Sequence, residues 1–116
     1  MSDGLTPAPG RLSITVDARE RDVWLTLEGD LDLASMGELE EQLEAAHAHG
    51  PARIVVDLRP LSFIDSSGLR TIIKADARAR AAGVDLVLRP GGDAVQRVFE
   101  LTGALEALHF EGLAPD

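Results

Sequence analysis

A short acidic and hydroxyl-bearing segment near the middle of the chain carries the residues best suited to chemistry. In the stretch FIDSSGL, an apolar run ends in Asp65, Ser66 and Ser67, and Gly68 follows. Hydroxyls beside a carboxylate suit a nucleophile, a phosphoryl acceptor or a helix cap. A cap needs one or two polar side chains, and Asp65 or Ser66 can supply them. Ser67 is then a surplus hydroxyl, while the apolar pair before Asp65 is expected to anchor the turn in the core.

A second acidic segment, EGDLDLAS, carries Asp30 and Asp32. Like FIDSSGL, it follows a predicted strand and leads into a predicted helix. The carboxyl ends of parallel strands meet at one edge of a sheet, where helix N-termini also converge. If the two strands are neighbours, three carboxylates and two hydroxyls lie together at one end of the domain.

Apolar patterning predicts the strands that precede these segments. RLSITVDARE and VWLTLEG alternate between apolar and polar residues, which predicts a β-hairpin that turns around residues 19–22. The run at 54–58 is apolar almost throughout, as in a strand buried on both faces, and residues 84–89 predict another strand. Residues 105–110 predict a last short strand.

Apolar residues at helical spacing predict three helices with recognisable ends. Ser35 and Glu38 have the spacing of a capping box before the first helix, which stops at a Gly-Pro dipeptide. The second helix begins at the two serines and ends before Gly83, in the position of a left-handed cap. The third begins with Asp93 as its cap and ends at Gly103.

The resulting order, β-β-α-β-α-β-α-β, predicts an α/β fold in one domain. Its sheet is mixed and mostly parallel, with an N-terminal β-hairpin and helices packed on it. Residues 11–112 are assigned to this domain. The Gly- and Pro-containing residues 1–10 predict a flexible N-terminal arm, and residues 113–116 a short C-terminal tail.

Composition and charge exclude several classes of function. The 116 residues include no cysteine, which excludes disulfides and thiolate metal sites. A net charge of −9, from 20 acidic against 11 basic residues, disfavours nucleic acid and anionic lipid as partners. No apolar run approaches the roughly 20 residues of a membrane span, and the start lacks a targeting signal. We therefore expect a cytoplasmic protein with no nucleic-acid or membrane partner.

The sequence disfavours three other chemistries: metal ligation by histidine, serine hydrolysis and a receiver-type phosphoacceptor site. Placement near a helix C-terminus explains His47 and His49 better than metal ligation, and the G-x-S-x-G pattern of a serine hydrolase is missing. The three carboxylates could form a magnesium-dependent phosphoacceptor site of the receiver type. Such a site needs a lysine at the end of a late strand, whereas the only lysine, Lys74, lies inside the second predicted helix. We expect no metal, no cofactor and no catalytic residue.

Three stretches together resemble the STAS domain of bacterial anti-sigma factor antagonists: VVDLRPLSFIDSSGLRTI, LEGDLDLAS and VQRVFELTGALEAL. The resemblance covers nearly the whole chain after residue 10 and implies a regulatory protein, not an enzyme. It also implies that the second serine of D-S-S-G, Ser67, is phosphorylated, with Ser66 as the alternative acceptor. The kinase would be the anti-sigma factor itself, which has a histidine-kinase-like ATPase fold.

The same resemblance implies a partner switch that controls transcription. The unphosphorylated protein would bind the anti-sigma factor and release a sigma factor; phosphorylation would end this binding, and a serine phosphatase would restore it. The implied partner-binding residues are Asp30, Asp32, Asp65, Ser66, Gly68, Leu69 and Arg70. Gly68 is expected to let the partner approach the backbone closely.

Two features leave alternatives open. Arg70 stands where some family members have glycine, and with Lys74 and Arg78 it forms a basic ridge that is either solvated or faces an acidic patch on the partner. Family members also often continue into a final helix, which is not expected here. The alternative function is a STAS adaptor of a transport or scaffold complex that is never phosphorylated.

Overall fold

A computed structural model of the chain describes residues 11–112. The predicted arm and tail, residues 1–10 and 113–116, lie outside the described residues. Residues 11–112 contain five strands and four helices. In order they are β1 (Ser13–Arg19), β2 (Asp22–Leu31), α1 (Met36–Ala48), β3 (Arg53–Asp57), β4 (Leu61–Ile64), α2 (Ser66–Ala81), β5 (Asp85–Arg89), α3 (Asp93–Thr102) and α4 (Ala104–Ala107).

The sheet has the predicted mixed character. Its strands follow the order β1-β2-β3-β5, and β4 pairs with β2 beyond the end of β3. The hairpin β1–β2 is antiparallel, whereas the β2–β3, β2–β4 and β3–β5 pairs are parallel. Helical crossovers are needed to return the chain between parallel strands, and α1 and α2 supply them. The predicted α/β fold class is therefore confirmed.

On the side away from β1, strand β2 pairs first with β3 and then with β4, and it contains an irregularity at its end. Residues 22–26 pair with β3, residues 29–31 pair with β4, and the register shifts between Gly29 and Asp30. Gly29 has a φ of 101°, and a Cβ added there would lie 1.8 Å from the backbone oxygen of Arg11. Only glycine fits this close approach. The irregularity directs the end of β2, with its acidic segment, towards β4.

Two parts of the predicted element order are wrong. Strand β4 was not predicted, because its four residues bury only the first and the last side chain and so give no alternating signal. The last strand, predicted over 105–110, is largely the short helix α4. Within residues 11–112, only Phe110 of that region forms a bridge, to Leu88 of β5. The spacing of the buried Ala104 and Leu108 is helical, which explains the difference.

The helix ends agree with the sequence in part. The left-handed cap predicted at Gly83 is confirmed, with a φ of 74°, and Gly103, which was predicted only to end the third helix, is also left-handed, with a φ of 78°. Asp93 is not the cap of α3: Gly92 occupies that position, and Asp93 lies in the first helical turn. Gln96 instead reaches back, and its side-chain oxygen accepts a hydrogen bond from the Gly91 amide at 2.8 Å.

The hydrophobic core lies between one face of the sheet and the helices. Alternate residues of β2, namely Val23, Leu25 and Leu27, are buried in it together with apolar residues of β3, β5 and all four helices. The opposite side of β2 carries Trp24 and Thr26, which are half-buried. We call this second side the helix-free face. Within residues 11–112, no helix is long and apolar enough to cross a membrane.

Candidate functional site

The loops that follow β2 and β4 lie side by side. Asp30 pairs with Phe63, and Leu31 pairs with Ile64 in parallel register. The Asp65 amide extends this pairing by donating a hydrogen bond to the Leu31 carbonyl oxygen at 3.2 Å. The predicted proximity of the two acidic segments is therefore confirmed, although β4 and not β3 provides it. We call this end of the sheet the acidic edge; it comprises residues 30–35 and 63–70.

Helix α2 begins with the cap expected at Asp65. Its side chain accepts a hydrogen bond from the Gly68 amide at 2.9 Å, and its backbone is extended as in ordinary N-caps. Ser66 and Ser67 are the first two residues of the helix. Within residues 11–112, neither hydroxyl forms a hydrogen bond, and Ser66 is exposed while Ser67 is half-buried. One carboxylate thus completes the cap and leaves two serine hydroxyls unused.

The segment before α1 is held by a different set of bonds from the predicted capping box. Ser35 makes no side-chain cap bond to α1. Its hydroxyl instead donates to the Asp30 carbonyl oxygen at 2.8 Å and accepts from the Asp32 amide at 3.0 Å. Glu38, the predicted second member of the box, forms an ion pair with Arg11 at 3.2 Å. The capping box was therefore a wrong prediction.

Asp32 takes over the capping function in this turn. Its Oδ1 atom accepts hydrogen bonds from the Ala34 and Ser35 amides, at 3.0 Å and 3.1 Å. Side chains of Asp and Asn often stabilise turns in this way. By contrast, the Asp30 carboxylate forms no hydrogen bond or ion pair within the described part of the chain. Of the two predicted docking aspartates in this segment, Asp30 is the one available to a partner.

Two of the predicted partner-binding residues face the protein's own interior. A Cβ added to Gly68 would lie 2.5 Å from the Leu31 carbonyl oxygen and 2.8 Å from the Leu31 Cγ atom. The close approach that Gly68 permits is therefore to β2, and the prediction of an open approach for a partner is wrong. Leu69 is only 6% exposed and belongs to the core, so its side chain is not a surface contact. Arg70 is exposed, as predicted.

Sequence reasoning missed two exposed apolar side chains at the acidic edge. Leu33 is 67% exposed and Phe63 is 48% exposed. Ile64 is buried as expected, but the prediction that its neighbour Phe63 also enters the core is wrong. Leu33 departs from the helical spacing of the apolar residues after it, which was a usable signal. Phe63 gave none, because only the pairing of β4 with β2 decides which way it points.

The basic ridge on α2 is paired in part. Arg78 forms an ion pair with Glu44 of α1. Arg70 and Lys74 form none among residues 11–112. These two cations therefore remain open to a partner with acidic groups.

No metal site is evident among the described residues. Residues 11–112 contain no group of three His, Cys, Asp or Glu side chains placed to hold a metal ion. The three carboxylates of the acidic edge therefore do not form the cluster that a receiver-type magnesium site requires. His47 lies in the last turn of α1, as the sequence indicated, and His109 lies 3.3 Å from Asp85.

The perturbed pKa values lie outside the acidic edge. Burial by itself would raise the pKa of Asp57, but hydrogen bonds from the Arg59 side chain and amide outweigh it, and the pKa is lowered. The Asp57 side chain is 5% exposed and lies 2.7 Å from the Arg59 guanidinium. A hydrogen bond with Asp22, at 2.8 Å, raises the pKa of Arg53. These pairs are structural, because each charge is satisfied within the chain.

Comparison with known proteins gives this fold and site a family. A family model described as Mlab, STAS domain, matches residues 14–109. The chain therefore belongs to the STAS domain family, and its relatives include proteins named anti-sigma factor antagonists.

One such relative is the protein BtrV of Bordetella bronchiseptica, which is named for anti-sigma factor antagonism. It is 32% identical over 94 residues, which cover 81% of each chain. The fold is shared with an anti-sigma factor antagonist from Mycobacterium paratuberculosis, with a TM-score of 0.77, 24% identity and coverage of 93% and 92% of the two chains. Unphosphorylated SpoIIAA, at 21% identity, gives a TM-score of 0.72 over 85% of this chain and 88% of its own.

Proposed function

We propose that this protein is an anti-sigma factor antagonist that acts by partner switching. Unphosphorylated, it binds an anti-sigma factor with a histidine-kinase-like ATPase fold, and a sigma factor is released. That anti-sigma factor is also a serine kinase, and phosphorylation of Ser67 ends the binding. A serine phosphatase resets the protein. ATP and magnesium belong to the kinase, so the protein itself is a cytoplasmic regulator without catalytic activity.

The observation that carries this proposal is the unused pair of hydroxyls at the start of α2. Asp65 completes the helix cap, so Ser66 and Ser67 are not needed to stabilise the helix. The serines lie beside the accessible carboxylate segment of Asp30 and near two exposed apolar residues. This combination suits a docking surface with a modifiable group in it.

A phosphate at this place favours the fold and opposes docking. The N-terminus of α2 favours an anion by about 0.3–1 kcal/mol, so local unfolding is not expected. Phosphate adds a charge of about −1.5 to −2 close to Asp65 and the Asp30 segment. Burying this added charge in an interface without partner cations carries a desolvation cost that the free protein does not bear. A cost of about 3 kcal/mol weakens binding about a hundredfold.

The solved forms of SpoIIAA support the idea that modification leaves the fold in place. SpoIIAA is described in a phosphorylated and in an unphosphorylated form. The phosphorylated form aligns with this chain at a TM-score of 0.66, over 85% of this chain and 91% of SpoIIAA. A switch that keeps the fold must act at the surface, through charge and desolvation.

Phosphate mapping tests the proposal directly. The protein is mixed with ATP and with each histidine-kinase-like ATPase encoded in the same genome, and the phosphorylated residue is identified by mass spectrometry. We expect one phosphate on Ser67, absent from the Ser67→Ala variant and retained in Ser66→Ala. Resistance of the phosphate to hydroxylamine distinguishes a phosphoserine from the acyl phosphate of a receiver-type site. No phosphate with any of these kinases would favour the STAS adaptor instead.

A further inference from the structure

We propose that Leu33 and Phe63 are the apolar anchors that give the unphosphorylated protein its affinity for the anti-sigma factor. The two apolar side chains would provide most of the binding free energy, and phosphorylation of Ser67 would control whether binding occurs. The inference rests on the proposed function and names residues that neither the sequence patterns nor the family resemblance had indicated. Five large apolar side chains are exposed among residues 11–112, and these two both lie at the acidic edge.

The backbone pairing places Phe63 next to the accessible acid of the edge. Phe63 and Asp30 are register partners in the β2–β4 pair. The next register pair, Leu31 and Ile64, is buried in the core, whereas Phe63 is 48% exposed and Asp30 is half-buried. Phe63 and Asp30 therefore both reach solvent. An apolar ring and a carboxylate that has no partner among residues 11–112 therefore lie next to each other, shortly before the cap of α2.

Leu33 is exposed in a turn that does not need its side chain. The turn is held by the Asp32 carboxylate, which accepts from the Ala34 amide, and by the Ser35 hydroxyl. A leucine that is 67% exposed contributes little to folding in such a place. A single exposed apolar residue is ordinary on a protein surface. Two of them near a candidate phosphorylation site, one in the turn after β2 and one near the end of β4, indicate a protein-binding patch.

The occupant follows from the position of the serines. A kinase that phosphorylates Ser67 must bring its ATP phosphate to the start of α2, so its surface covers the loops on either side. Leu33 and Phe63 are then removed from water, and burial of an apolar group stabilises the complex whatever the charge on Ser67. The partner surface therefore needs an apolar pocket for these side chains, with cations at its rim to meet Asp30.

Serine substitutions test the anchors, with matched controls elsewhere on the surface. The variants are Leu33→Ser and Phe63→Ser. The controls are Leu101→Ser on α3, where the leucine is 74% exposed, and Val16→Ser on β1, where the valine is 46% exposed. Each variant is titrated with the ATPase found to phosphorylate the wild-type protein, and KM and kcat for phosphorylation are measured. Thermal unfolding by circular dichroism verifies that every variant is folded.

We expect each anchor variant to raise Kd and KM about tenfold with kcat unchanged, because lost apolar contact weakens substrate and transition state equally. The two control variants should stay within about twofold of wild type, as surface substitutions away from a contact usually do. Wild-type Kd in both anchor variants, with Ser67 still phosphorylated, would overturn the anchor assignment and leave the partner switch standing. Equal losses in the controls would also overturn it. Failure of every ATPase to bind or phosphorylate the wild-type protein would refute the proposed function itself, and the anchors with it.

Discussion

The helix-free face and the acidic edge are both rich in polar groups, but they use them differently. On the helix-free face, Arg19, Asp22, Arg53 and Asp85 are successive register partners across β1, β2, β3 and β5. Arg53 bonds to Asp22 at 2.8 Å, and the Arg19 guanidinium lies 4.4 Å from the centre of the Trp24 ring. Asp22 and Arg53 thus pair across β2 and β3, while Arg19 pairs with Asp17 of its own strand and Asp85 with His109.

The acidic edge, by contrast, has polar side chains that are not paired by other described residues. The hydroxyls of Ser66 and Ser67 and the carboxylate of Asp30 have no hydrogen-bond partner among residues 11–112, and two large apolar side chains beside them face solvent. Polar groups that the described residues leave unpaired can still interact with a partner, so the acidic edge is the candidate binding region and the paired charges are not.

The largest expected effect is on binding, at the acidic edge. Ser67→Asp should lower affinity for the anti-sigma factor about a hundredfold, because one more negative charge must be buried beside Asp65. Its free energy of unfolding should stay within about 0.5 kcal/mol of wild type, since the charge lies at a helix N-terminus. Titration calorimetry and urea unfolding measure the two quantities.

Ser67→Ala is the control for this prediction. It should bind like the unmodified protein and accept no phosphate at position 67. Equal affinity of the Asp variant and the wild type would show that charge at this position does not control docking.

An intermediate effect, on the free energy of unfolding, is expected from a substitution at Gly68, where α2 packs against β2. Gly68→Ala should destabilise the fold by about 1–3 kcal/mol, because its Cβ would clash with Leu31 of β2. Gly37→Ala in α1 is the matched control: a Cβ there meets nothing within 4 Å, and alanine should stabilise the helix by about 0.5–1 kcal/mol. Urea unfolding compares both. Similar stability changes in the two variants would contradict the packing assigned to Gly68.

The smallest effect, on the free energy of unfolding, is expected at Asp57, whose carboxylate is already paired with Arg59. Asp57→Asn should cost about 1–2 kcal/mol of stability at pH 7 by weakening the bonds from Arg59, with no change in affinity for the anti-sigma factor. The folded pKa of Asp57 is lowered, so its contribution is present above the ordinary aspartate pKa of about 3.9. It is lost as the pH falls through the folded pKa.

The pH dependence provides the measurement for Asp57. The stability difference between wild type and the Asn variant should be constant from about pH 5 to pH 7 and should shrink below about pH 4. Urea unfolding at several pH values follows it. A difference that does not change with pH would mean that the charge of Asp57 is not what stabilises the fold.

Structural features that depend on only a few neighbouring residues were predicted correctly. Both strands of the hairpin, the three longer helices, the left-handed cap at Gly83 and the end of α3 at Gly103 follow from periodicity and end signals in the sequence. The cap at Asp65 also follows, because its bond to Gly68 spans only three residues. Predictions failed where two local solutions compete: Ser35 and Asp32 are both good capping residues, and the contact with the Asp30 carbonyl group decides between them.

The sequence by itself determined that this protein has an α/β fold and that a hydroxyl beyond the cap stands at the start of its second helix. Those features depend on residue types and on spacings within one element. Only the tertiary structure decided that β4 pairs with β2, that Gly68 faces β2 instead of a partner, and that Phe63 faces solvent beside Asp30. Each depends on atoms more than 30 positions apart along the chain, which come together only when the strands pair.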